Sequence, residues 1–127
     1  ITVILVYVGG SQLCAQLRRL RMQTVPPAEA WVDAAEAGSG PAPAVRQMSE
    51  VLGLSFPISV FTASTPGPTG MTSSLPPVLN SSRLSPLMRR FVLALQAAST
   101  HILVLDAHIL PSTRLLETFS IAAQQAF

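Results

Sequence analysis

The sequence predicts an α/β fold: a three-layer, Rossmann-like parallel sheet with helices on its faces. Three observations carry this. Apolar runs rich in β-branched residues at 1–8, 56–61 and 102–106 have the length and composition of strands. Leucines between them recur every three or four residues, as on an amphipathic helix. Strand and helix then alternate along the chain, which favours parallel strands joined by right-handed crossovers.

Ile1 to Val8 reads as a central strand, broken by Gly9-Gly10, with Ser11 as the expected N-cap of a first helix. Leu13, Leu17 and Leu20 stripe that helix, Cys14 lies beside them as a small apolar filler, and Pro26-Pro27 forbids continuation beyond Gln23. A short second strand, 29–33, ends on Asp33, and a loop follows through Pro41. Val45, Met48 and Leu52 mark a second helix stopped by Gly53. The third strand, 56–61, carries Pro57 near its start, which suits a sheet edge. Thr62 to Ser82 is dense in Pro, Gly, Ser and Thr and reads as a long loop. Leu84, Leu87, Met88, Phe91, Leu95 and Ala98 predict the inward stripe of a third helix. The fourth strand, 102–106, is apolar enough to be buried on both faces, and a last helix starts near Ser112 with Leu115, Leu116, Phe119 and Ala123 inward. The expected strand order is third-second-first-fourth.

The bulk numbers bound the function. At 127 residues the chain fits one domain, and 49% hydrophobic with 11% charged residues argues against disorder. Eight arginines and no lysine leave a net charge of only +2, without the interleaved aromatics that nucleic-acid binding uses. The single cysteine excludes a disulfide framework and a Cys-based zinc site. No run reaches the roughly 18 apolar residues of a membrane span. Beginning at Ile1, inside a strand, the chain reads as a piece of a longer protein, whose fourth strand would then form an open edge.

Candidate functional residues gather at strand ends. Asp106 and His108 follow the fourth strand; side chains at i and i+2 of an extended segment share a face, so the two can converge. A carboxylate beside an imidazole suits Mn²⁺ or Mg²⁺, although polar residues are also ordinary at strand ends. Asp33 is either a solvated strand end or an acceptor for a ribose or base N–H. Gly9-Gly10 is a tight turn or a close approach to ligand, and lacks the third glycine of a dinucleotide fingerprint. Arg89-Arg90 reads as a solvated helix face, and Asn80-Ser81-Ser82 fits the N-glycosylation sequon. No Ser/His/Asp or Cys/His set is arguable. In an open parallel sheet, ligands sit at the carboxyl ends of strands where the order reverses, here between the first and fourth.

Two segments resemble a known family. ITVILVY, the leucine-striped helix and QTVPPAEAWVD at 23–33 look like the opening of a GT-A fold glycosyltransferase of the family-2 kind, with its Q-T-x-P-P turn. RFVLAL at 90–95 and ASTHILVLDAH at 98–108, followed by Ile109-Leu110-Pro111, resemble the helix and strand that deliver that family's D-x-D. The likeness spans most of the chain but is thin from Gly40 to Ser82.

The resemblance implies a nucleotide-diphosphate sugar as donor, a UDP-sugar being favoured, and a divalent cation, Mn²⁺ or Mg²⁺. It implies donor contacts at Tyr7, Val8, Gly9, Asp33, Arg90 and Asp106, and metal ligation by Asp106 and His108. His108 would replace the last carboxylate of D-x-D, a D-x-H used by polypeptide N-acetylgalactosaminyltransferases. Residues 1–127 would be the donor half of the domain, inactive alone, with the acceptor site and any catalytic base beyond Phe127. Val6 and Gly9 replace the usual Pro and Asn after the first strand, and the acidic cluster is reduced to Asp106. The competing expectation is a degenerate, non-catalytic α/β module that keeps the fold for interaction or structure.

Overall fold

A computed structural model describes residues 1–36, 41–62 and 85–126. The elements are β1 (Thr2–Val6), α1 (Gly10–Arg21), β2 (Glu29–Asp33), α2 (Pro41–Leu52), β3 (Ile58–Phe61), α3 (Pro86–Ala94), β4 (Ile102–Leu105) and α4 (Leu115–Ala126). The strands form one all-parallel sheet in the order β3-β2-β1-β4, as expected from the alternation. Register places Val6 opposite Asp33 and Leu5 opposite Leu105. β3 is a terminal strand, so Pro57 opens it where a missing N–H costs least, and its carbonyl accepts from the Ala30 amide.

Alternate residues of the strands feed two cores. Val3, Leu5, Val32, Val60 and Leu105 pack with Leu13, Leu17 and Leu20 of α1, Val45 and Leu52 of α2, and Leu116 of α4. Ile4, Trp31 and Phe61 face the other way, against Leu93 of α3. Trp31 and Phe61 meet there with ring centroids 5.1 Å apart. This division follows from the strand order: right-handed crossovers put helices on opposite faces once the direction of progression reverses. Burying each α1 leucine contributes about 1.5–3 kcal/mol, which explains why its stripe was readable. Cys14 is half-buried against the same core. α2 ends in a Schellman arrangement: Gly53, at φ 59°, lets its own N–H reach the Glu50 carbonyl and the Leu54 N–H reach Ser49.

Several boundaries differ from the sequence reading. β1 stops at Val6, leaving Tyr7 and Val8 beyond it, and β3 starts only at Ile58. The α1 N-cap is Gly9, not Ser11, with no side-chain cap, so the helix starts two residues earlier than expected; a Cβ on Gly10 would meet Met48 Cε at 3.3 Å. Gly9, at φ 166°, is extended, and neither glycine of the pair lies in the left-handed region. Pro41 opens α2 rather than closing a loop, as a residue suited to the first turn. α4 begins at Leu115 rather than Ser112, and Leu116 alone is buried on it. The Leu87, Met88, Phe91 and Leu95 stripe of α3 is solvent-exposed, while Arg89 and Leu93 are its buried residues. β4 is a terminal strand with Val104 38% exposed, so it is not buried on both faces. The loop expected from Thr62 to Ser82, the Asn80 sequon and Leu84 lie outside the described residues, apart from Thr62 itself. Among the described residues no helix is long and apolar enough to cross a membrane.

Candidate functional site

The carboxyl ends of β2, β1 and β4 stand side by side, so Asp33, Tyr7 to Gly9 and Asp106 lie along one edge of the sheet. Tyr7 continues the pairing past β1, donating from its backbone N–H to the Asp33 carbonyl at 2.9 Å. The reversal of strand order falls between β1 and β4, the place where parallel sheets open a crevice.

Two adjacent arginines of α3 meet carboxylates on either side of β1. Arg89 donates from Nε to both oxygens of Asp33 at 3.1 Å, and its Nη2 lies 3.6 Å from Glu36 Oε1. The two side chains of the main pair are 10% and 1% exposed. Asp33 also accepts from the Ala35 N–H at 3.1 Å, an Asx turn that starts the loop after β2. Asp33 is therefore neither a solvated strand end nor open to a ligand, and Arg89 is not part of a solvated face. A buried carboxylate needs a paired, hydrogen-bonded cation, and Arg89 is that cation. Arg90, one residue on, points to the end of β4: its Nη1 lies 4.0 Å from Asp106 Oδ2. The Arg90 side chain is 18% exposed, and its buried Nε has no hydrogen-bond partner among the described residues.

Asp106 and His108 do not lie in an extended segment. β4 ends at Leu105, and Asp106-Ala107-His108-Ile109 is a turn closed by the Ile109 N–H on the Asp106 carbonyl at 3.1 Å. The two side chains thus do not converge through the period of a strand, as the sequence reading assumed. The His108 N–H instead approaches Asp106 Oδ1 at 3.4 Å. The Asp106 carboxylate is 55% exposed and His108 is exposed, while Ala107 between them is buried.

Helix α1 holds this turn from the other side. Gln16, fully buried, donates from Nε2 to the Asp106 carbonyl at 2.8 Å and to the Ile109 carbonyl at 2.9 Å. Gln12 Nε2 lies 3.2 Å from His108 Nδ1. Between helix and turn lies an open pocket of about 280 Å³ lined by Ser11, Gln12, Ala15, Ala107, His108 and Leu110. Neither glutamine was singled out in the sequence. Their i, i+4 spacing beside the leucine stripe was the available signal.

Among the described residues there is no group of three or more His, Cys, Asp and Glu side chains able to hold a metal ion. Asp106 and His108 offer one carboxylate and one imidazole. A divalent cation on these two groups would have to take its remaining ligands from substrate phosphate and water. Comparison with known proteins gave no matching family model, no matching curated protein and no matching solved structure.

Proposed function

We propose that the chain is the donor-binding half of a GT-A-like glycosyltransferase domain, taking a nucleotide-diphosphate sugar, a UDP-sugar foremost, together with a divalent cation. The observation that carries this reading is the meeting of Arg90 and Asp106 at the strand-order reversal, with Arg90 Nε left unpartnered. Such a site has a cation for a diphosphate, an exposed carboxylate and an imidazole on one turn. The backbone of Tyr7, Val8 and Gly9 borders the nucleoside in this reading. Asp33 serves it indirectly, by holding Arg89 in place. Mn²⁺ or Mg²⁺ held by Asp106 and His108 would neutralise diphosphate charge. The sugar acceptor and the catalytic residue lie outside what these residues suggest.

One observation favours a second reading, a non-catalytic α/β module serving interaction or structure: only two potential ligands stand on the turn after β4, and no larger ligand group exists among the described residues. Calorimetric titration of UDP, with and without Mn²⁺, separates the two. The donor-site reading expects affinity that rises with Mn²⁺ and is lost in Asp106→Asn and Arg90→Met. No UDP binding under either condition leaves the non-catalytic module.

A further inference from the structure

We infer that Gln16, with Gln12 one turn before it, is a positioning residue that sets the Asp106–His108 turn for ligand; this rests on the donor-site reading above. α1 and the turn after it present three glutamines to the segment following β4. Gln23 is fully bonded: Nε2 donates to the Arg19 and Ser112 carbonyls, and Oε1 accepts from the Leu116 N–H at 3.1 Å. Its role in tying α4 to α1 is complete as structure.

Gln16 is different. It sits among Leu13, Leu17 and Leu20 on the buried face of α1, where packing alone asks for an apolar side chain. Its Nε2 bridges the carbonyls that begin and end the turn, Asp106 and Ile109, yet its Oε1 is buried without a hydrogen-bond partner. An orphaned buried acceptor is a cost that an apolar residue of the same size would avoid. What glutamine supplies and an apolar residue cannot is a fixed separation between those two carbonyls. That fixes the path of Asp106, Ala107 and His108, two of which carry the exposed polar groups of the site. The Gln12 side-chain amide lies beside Nδ1 of His108; turned so that its carbonyl oxygen accepts from Nδ1–H, it would leave the Nε2 lone pair toward ligand. Partners of this outer kind orient the group that touches the ligand.

The test compares wild type, Gln16→Met, Gln12→Ala and Gln23→Met by UDP titration with and without Mn²⁺, and by amide hydrogen exchange in the metal-free protein. Gln16→Met is expected to lower the Mn²⁺-dependent part of UDP affinity about 10–100-fold, the usual effect of removing such a partner, and to speed exchange of the Ile109 amide. Gln12→Ala, which removes only a surface contact and does not threaten folding, is expected to lower the same part. Gln23→Met is expected to lose stability while keeping Mn²⁺-dependent affinity, which a merely structural role for all three glutamines would not produce. If wild type binds UDP with Mn²⁺ and both Gln16→Met and Gln12→Ala bind equally well, the positioning role is overturned and the donor site stands. If wild type shows no Mn²⁺-dependent binding, the donor-site reading falls and takes the role of Gln16 with it.

Discussion

Arg89 Nε stands 3.1 Å from each carboxylate oxygen of Asp33, and the pair closes the carboxyl end of β2 against α3. The contact fixes α3, the only helix on its face among the described residues, to the strand next to β1. Removing one partner strands a buried charge, whereas removing both need not. Arg89→Leu should therefore cost about 3–5 kcal/mol, and Asp33→Asn/Arg89→Leu markedly less than the sum of its singles. Urea denaturation with unchanged m-values is the measurement. A loss in Arg89→Leu below about 1 kcal/mol would mean that water reaches Asp33 and that α3 is held mainly by its apolar packing on Ile4, Trp31 and Phe61.

On α3 the structure reverses the sequence reading, and two truncations decide between them. Leu93 is 1% exposed and packs on Ile4, Trp31 and Phe61, so Leu93→Ala should cost about 2–5 kcal/mol. Leu95 is 83% exposed, and Leu95→Ala should stay within about 0.5 kcal/mol. Comparable losses at both positions would restore the stripe through Leu95 as the packed one.

Strand order was legible because the alternation of elements and the handedness of crossovers leave few topologies. The α1 stripe was legible because Leu13, Leu17 and Leu20 have a period that no strand shares. The α3 face was not. Leu87, Met88, Phe91 and Leu95 keep as good a helical period as the buried Arg89 and Leu93, and composition cannot say which stripe meets the sheet when a charged residue takes the buried side. Arg89 goes inward because Asp33 waits there, a pairing across 56 residues that no local pattern encodes. At the candidate site, the sequence shows Asp106 and His108 close in the chain but not the geometry that relates them. The strand was read one residue too long, and the turn that replaces it depends on Gln16, 90 residues earlier.

Glu117 supplies an acid-side prediction. The Arg114 Nε–H, donating at 2.8 Å, and then the Thr24 hydroxyl, donating at 3.0 Å, hold its carboxyl below the usual carboxylate range. A group lowered on folding adds stability that is present above its unfolded pKa and lost as pH falls through its folded one. Arg114→Ala should move the Glu117 titration upward, read from its carboxyl carbon by NMR. The shift between the two proteins should shrink in high salt, since the Arg114 side chain is 71% exposed. An unchanged Glu117 titration in Arg114→Ala would leave the Thr24 hydroxyl as the cause.

His108 gives the sharpest test of the cation. Its ring is exposed on the turn after β4, so substitution there removes little packing and reports on ligand rather than on folding. If the proposed cation site holds, His108→Ala would leave Asp106 as its single protein ligand, and the Mn²⁺-dependent part of UDP affinity should fall about 10-fold or more, since a lost ligand should cost at least as much as a lost outer partner. His108→Asp puts a carboxylate where the imidazole stood, a donor that hard cations accept readily, and should retain that part. The substitution also removes the contact between Gln12 and Nδ1, so Gln12→Ala should lower affinity in wild type and add nothing in His108→Asp. An ordinary polar turn predicts instead that UDP affinity is the same in wild type, His108→Ala and His108→Asp, with Mn²⁺ and without it. That equality would falsify the metal role of His108 and leave Arg90 and Asp106 to account for any nucleotide binding that remains.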